Sequence, residues 1–183
     1  MPMTGPKVIG FCGNTQRPSK TRALVEAVAG QLADRHDIDT EIFDLAGLEL
    51  DALQYGRLSP QAAALITAIE TADALIVGTP VYKGSYSGLF KHVFDLVQPA
   101  ALIDRPVLLT ATGGGTRHCL MVEHQLRPLF GFFEACTVPT AVYASEADFE
   151  DGRPASPLVL QRIAAASGQL ARLVHHHCLE AAE

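Results

Sequence analysis

Long apolar runs are the first thing this chain lacks. None approaches the roughly 20 consecutive apolar residues of a membrane-spanning helix. The opening Met1-Pro2-Met3-Thr4-Gly5-Pro6-Lys7 has neither the charged start nor the long apolar core of a signal peptide. The expected compartment is the cytoplasm, with no membrane partner. Charge of one sign is also scarce. The formal net charge is −6, from 14 Lys and Arg against 20 Asp and Glu. That balance offers no clustered basic surface for nucleic acid, and little support for the strongly acidic docking face of an electron carrier. Cysteine is sparse and unpaired. Cys12, Cys119, Cys136 and Cys178 include no CxxC spacing. Cys12 and Cys136 stand in apolar sequence and read as small buried hydrophobes rather than disulfides or metal ligands, with a regulatory thiol as the alternative. There is no internal repeat, linker or low-complexity tract.

Two nucleotide motifs are absent as well. The Walker A pattern needs a glycine just before Lys-Thr. Here Ser19 holds that place, and Gly13 lies one residue too early. The GxGxxG dinucleotide fingerprint does not follow the first strand. These absences disfavour a nucleoside triphosphatase and a Rossmann dehydrogenase.

What is present is an alternation of apolar segments along 183 residues, 48% of them hydrophobic, enough for one domain with a full core. Residues 7–12 read as a buried strand. Residues 20–34 read as a helix with Leu24, Val25, Val28 and Leu32 on one face. Residues 39–45 form a second strand. Ser59-Pro60 opens a helix, as an N-cap followed by a first-turn proline. Residues 73–77 form a third strand, 88–97 a helix and 106–110 a fourth strand. Residues 116–133 read as a long helix and 138–143 as a fifth strand. Ser156-Pro157 opens the last helix, which runs toward His175. Continuous apolar strands alternating with helices predict a doubly wound, five-stranded parallel sheet covered on both faces. The chain is expected to be a single domain over 1–183, with 175–183 a loose tail. Residues 51–59 and 145–157 are expected to be mobile loops. His175, His176 and His177 cannot all point one way on a helix. They read as solvated, and no metal site is expected.

Three loops fall on one sheet edge, where open α/β sheets bind ligands. The first runs from Gly13 to Arg22. A helix N-terminus presents unpaired N–H groups and partial positive charge, which suits an anion. Around it stand Asn14, Thr15, Arg17, Ser19, Lys20, Thr21 and Arg22. The plainer reading makes Ser19 an N-cap and the cations solvated. The second loop is Gly78-Thr79-Pro80-Val81-Tyr82-Lys83-Gly84-Ser85-Tyr86-Ser87-Gly88. Pro80 stiffens it, so it can hold a planar ring. The plainer reading is an ordinary strand-to-helix turn. The third is Thr112-Gly113-Gly114-Gly115-Thr116, whose glycines allow close backbone approach, or merely a flexible turn.

The second of these segments resembles the signature of NAD(P)H-dependent FMN reductases with a flavodoxin-like fold, most of all the reductase components of alkanesulfonate and methanesulfonate monooxygenase systems. The resemblance covers residues 7 to about 150. It implies FMN and NADPH or NADH as cofactors, with Asn14, Arg17, Ser19, Lys20 and Thr21 around the FMN phosphate. It implies Pro80, Val81, Tyr82, Lys83 and Ser87 around the isoalloxazine, and Thr112, Gly113 and Gly114 against the ring or the nicotinamide. No side chain is implied as a catalytic acid or base. The resemblance further implies an FMNH2-dependent monooxygenase as partner, and a homotetramer or homodimer. Arg22 and Arg117 are the cations available for a nicotinamide 2′-phosphate. Leu120, Met121, Val122, Leu126, Leu129, Phe130, Phe132 and Phe133 cover several faces of the 116–133 helix, a pattern of burial or of a subunit interface. Pro128 lacks the N–H that would bond to His124, so the helix is expected to widen or break there. In the relatives this helix resembles one with a π-type bulge, which places His124 near the flavin and the subunit contact. An FMN-bound quinone or azo reductase, and a flavodoxin-type electron carrier, are the alternative functions.

Overall fold

The structure, a computed structural model, describes residues 5–48 and 52–180. Met1 to Thr4, Asp51 and the last three residues of the expected tail lie outside them. In chain order the elements are β1 Val8–Cys12, α1 Lys20–His36, β2 Thr40–Asp44, β3 Leu53–Gln54, β4 Arg57–Leu58, α2 Pro60–Glu70 and β5 Ala74–Tyr82. Then come β6 Ser85–Tyr86, α3 Gly88–Leu96, β7 Pro106–Gly113, α4 Arg127–Phe132, β8 Cys136–Thr137, β9 Val142–Ser145, β10 Phe149–Glu150, β11 Arg153–Pro154 and α5 Pro157–Glu180.

The main sheet runs β2-β1-β5-β7-β8, all parallel, with β9 also pairing with β7. This is the doubly wound order in which the chain reverses direction at β1 and β5. Alternation along each strand sends side chains to opposite faces. Ile9, Phe11, Leu75, Val77 and Leu109 meet Leu65, Ile69, Phe90, Phe94 and Phe130 of α2, α3 and α4. Val8, Cys12, Ala74, Ile76 and Leu108 meet Leu24, Val28, Leu32, Ile163 and Leu170 of α1 and α5. On the first face the phenylalanines form a chain of contacts, with Phe11 and Phe90 stacked at 5.5 Å and Phe94 edge-on to Phe130 at 4.9 Å. Gly78 lets α1 lie close on the second face, since a Cβ there would come within 2.6 Å of Val25. Among the described residues no helix is long and apolar enough to cross a membrane.

Several expectations change. β5 does not stop at Val77. It continues through Pro80 to Tyr82 and folds back as a hairpin on β6. Lys83 (φ 53°) and Gly84 (φ 86°) make the turn, both in the left-handed region that two-residue hairpins with the sheet's twist require. The fifth strand position is filled by two short pieces, β8 and β9, because the chain between them does not pair. The 116–133 segment is not one helix. It begins as a 3-10 turn, Thr116–His118, passes through a π turn, Val122–Leu126, and only then becomes α4. Met121, Val122, Leu126, Phe130 and Phe133 are buried, but Leu120 and Phe132 are 61% and 69% exposed. Cys136 is exposed rather than buried, as is Cys119, and all four cysteines are free. Both segments expected to be mobile loops carry a hairpin, β3–β4 and β10–β11. The last helix continues through 175–180 where a loose tail was expected. His177 is not simply solvated, because Arg105 Nη1 donates to its Nε2 at 2.7 Å.

Candidate functional site

The C-terminal ends of β1, β5 and β7 deliver all three loops to one place. Hydroxyl groups tie them together. Gly13 N donates to Gly78 O at 2.7 Å. Ser87 Oγ donates to Gly13 O at 3.3 Å and accepts from Phe90 N as the N-cap of α3. Thr79 Oγ1 accepts from Ser87 N at 3.1 Å. Thr21 Oγ1 and Thr112 Oγ1 share a buried hydrogen bond of 2.6 Å. Thus the first turn of α1 is joined to the end of β7.

The first loop caps α1 as the sequence predicts, with Ser19 Oγ accepting from Arg22 N at 3.2 Å. The amides of Lys20 and Thr21 find no acceptor among the described residues. Asn14 is buried. Its Nδ2 donates to Gln16 O, while its Oδ1 has no partner among the described residues. Two of the three cations are held closely, and the third, Lys20, has only a longer ion pair with Glu146. Asp44 accepts from Arg17 Nε and Nη2 and from Arg22 Nη1, each at 2.9 Å, and Arg22 also reaches Glu26. Burial opposes charge on Asp44, but the hydrogen bonds and charges of the two guanidiniums outweigh it. They hold the carboxyl below the usual carboxylate range. Burial pushes the nearby Cys12 thiol up, so Cys12 stays neutral and inert.

A cavity of about 160 Å³ opens between the loops. Lys20, Pro80, Val81, Tyr82, Thr112, Gly113 and Gly114, all sequence candidates, line it together. Ser145, Glu146 and Phe149 complete the lining and were missed. Their signal was local: Ser145 N and Oγ both donate to Asp148 Oδ2, a capping box that orders the turn. Lys20 Nζ lies 3.7 Å from Glu146 and 5.7 Å from the centre of the Phe149 ring. Asn14, Arg17, Ser19, Thr21, Lys83, Ser87 and His124 do not line the cavity. Ser87 and Thr21 act as ties within the protein, and Lys83 stands exposed at the hairpin tip. His124 is exposed on the π turn. That turn forms as expected next to Pro128, with Arg127 N donating five residues back to Val122 O. Its neighbour Gln125 accepts from Ser85 Oγ at 3.4 Å, which sets the π turn against the hairpin.

The donor set suits a phosphate: a lysine ammonium and two first-turn amides without acceptors. The edge formed by Pro80 to Tyr82 is apolar and stiff, as a planar ring needs. The cavity is smaller than the roughly 300 Å³ or more that encloses a small ligand. Cavities of about 590 Å³ beside β3–β4 and 620 Å³ between the ends of α1 and α5 stand apart from these loops.

This strand order and loop constellation define a flavodoxin-like, flavin-binding α/β protein. The chain belongs to the NADPH-dependent FMN reductase family, whose profile matches residues 6–150. It is similar to a Pseudomonas aeruginosa protein named FMN reductase (NADPH), at 46% identity over 175 residues covering 93% of this chain and 94% of that one. It is equally similar to the NADH-dependent FMN reductase SfnF of Pseudomonas fluorescens, at 46% identity covering 93% of each. Among solved structures, an oxidoreductase from Corynebacterium diphtheriae superposes with a TM-score of 0.79 at 31% identity, covering 94% of this chain and 99% of that one. The enzyme class is therefore NAD(P)H:FMN oxidoreductase, with FMN and a nicotinamide nucleotide as its cofactors.

Proposed function

We propose that this enzyme takes FMN as a substrate that arrives and leaves. It reduces FMN with NADPH or NADH and hands the reduced flavin to a separate FMNH2-dependent monooxygenase acting on methane- or alkanesulfonates. The carrying observation is the shallow cavity at which Lys20, the Pro80–Tyr82 edge and the Thr112–Gly114 backbone meet. A site open on one side favours exchange of the flavin. When bound, FMN supplies the ring that accepts a hydride from the nicotinamide. Lys20 and the amides of Lys20 and Thr21 hold the phosphate, with Asn14, Arg17 and Ser19 beside them. Pro80, Val81, Tyr82 and Lys83 flank the ring, and Ser87 fixes that hairpin to the first loop. Thr112, Gly113 and Gly114 approach the ring with backbone alone. No side chain is assigned as acid or base, since the protein's part is position and electrostatics. The sulfonate side of the reading rests on the resemblance of the Gly78–Gly88 segment and is supported by the relative named SfnF. The exposed Leu120 and Phe132 support a homotetramer or homodimer, with His124 beside that contact.

The test is steady-state oxidation of NADPH and NADH with FMN, FAD and riboflavin as varied substrates. Saturable turnover that needs added FMN, with flavin lost on dialysis, is expected. Turnover that needs a quinone or azo dye, with FMN retained through dialysis, would overturn the substrate role of FMN.

A further inference from the structure

The third wall of the cavity is bare backbone. Thr112, Gly113 and Gly114 form it, and glycines are the residues least able to hold a position unaided. Two hydroxyls restrain this stretch. On one flank Thr112 Oγ1 meets Thr21 Oγ1. On the other, Tyr143 Oη donates to Gly115 O at 2.5 Å. Tyr143 belongs to β9, whose register sets it beside Ala111 of β7, two residues before Gly113. It does not line the flavin cavity. It lines a separate cavity of about 370 Å³ behind the loop, with Thr116 and Cys119. A Cβ built on Gly113 would lie 2.2 Å from Tyr143 Oη and 3.2 Å from Cζ. Gly113 is not at positive φ, so a side chain there is opposed by this close approach of the Tyr143 phenol and not by backbone conformation. One phenol thus does two things. It holds the Gly115 carbonyl, and it occupies the space that a side chain at 113 would need.

We propose that Tyr143 is a positioning residue for flavin, which sets how closely the Gly113–Gly115 backbone approaches the ring. This rests on reading the cavity as the flavin site. Without the hydroxyl the Gly115 carbonyl is released while Thr112 and Gly113 stay in the β7–β9 ladder, so flavin must supply the lost order beyond Gly113 and the loss falls on binding and not on the chemical step.

Tyr143→Phe is the conservative test. The KM for FMN is expected to rise about five- to tenfold, the worth of one hydrogen bond, with kcat changed by less than about twofold. Riboflavin should be affected in the same proportion, because the loop meets the ring and not the phosphate. Without flavin, amide hydrogen exchange over residues 112–116 should quicken in the variant. Gly113→Ala should bind FMN poorly, and adding Tyr143→Phe to it should recover part of the loss, since the atom nearest the new methyl is gone. Unchanged KM and unchanged exchange in Tyr143→Phe, or simple additivity in the double variant, would overturn the proposal while wild-type turnover of FMN stands. A wild-type chain that turned over no added FMN would instead overturn the reading on which the proposal rests.

Discussion

α1 and the segment that leads into α4 both leave the loop-bearing edge of the sheet, and the two helices start in opposite ways. α1 begins at a clean Ser19 cap that satisfies one amide and leaves those of Lys20 and Thr21 without acceptors among the described residues. α4 is reached through a π turn whose polar groups are satisfied within the chain. Glu123 N and His124 N both donate to Leu120 O, and Arg127 N to Val122 O. Arg127 also clasps Glu123, Thr137 Oγ1 and the carbonyls of Val138 and Pro139, which pins this start to the β8 side. An anion has a reason to come to the first start and none to come to the second. Two helices that follow strands flanking β5 can therefore serve different ends: one receives a ligand, the other supports the hairpin and presents Leu120 and Phe132 outward.

The comparison breaks most visibly at Asp44, which anchors the α1 side. Replacing Asp44 with Asn removes the acceptor for Arg22 and weakens that for Ala46 N. It is expected to destabilise the fold by about 2 kcal/mol at pH 7, measured by urea unfolding. The sign of the pH dependence follows from the lowered carboxyl. Its contribution is fully present above the unfolded value of about 3.9 and is lost as pH falls through the folded value. The gap between wild type and Asp44→Asn should therefore shrink on acidification below about pH 4. A gap that held constant there would mean that Asp44 acts through packing and not through charge.

A smaller change is expected at Lys20. Lys20→Gln should weaken FMN binding by about tenfold, roughly 1.4 kcal/mol, and leave riboflavin binding within twofold. Equal losses for both flavins would move Lys20 from the phosphate to the ring. The smallest effect belongs to the second start. Pro128→Ala restores an N–H facing His124 and lets the turn close as ordinary helix. Stability should change by less than about 0.5 kcal/mol and the KM for FMN by less than about twofold. A large rise in KM would place the π turn within the flavin site and erase the difference between the two starts.

The first four parallel strands of the sheet, the face of α1, and the caps at Ser19 and Ser59 were legible in the sequence. Each depends on residues within one or two turns of each other, where spacing along the chain is spacing in space. That the helix breaks or widens near His124 was legible for the same reason, since one proline removes one particular donor; that it widens into a π turn came only from the family resemblance. The misreadings have a common cause. Pro80 to Tyr82 reads as a loop from its composition, yet pairing with β7 and β6 carries the strand through it. Residues 145–157 read as mobile, but the Ser145–Asp148 box and the β10–β11 hairpin order them, and Phe149 comes to rest by Lys20. Cys136 sits in apolar sequence but ends up exposed, on the edge strand β8.

From residues alone came the parallel sheet, the three loops on one edge, and the chemistry that each loop suits. Periodicity, capping and proline geometry are short-range effects, and the chain carries them wherever it goes. The fold added which of the candidates face one another. Seven of them share a cavity, Arg17 and Arg22 turn instead to Asp44, and Tyr143 stands where Gly113 has no side chain. Those outcomes join residues 22, 27, 30 or more positions apart. They are set by strand register and by how closely helices and strands approach, quantities that no local stretch of sequence contains.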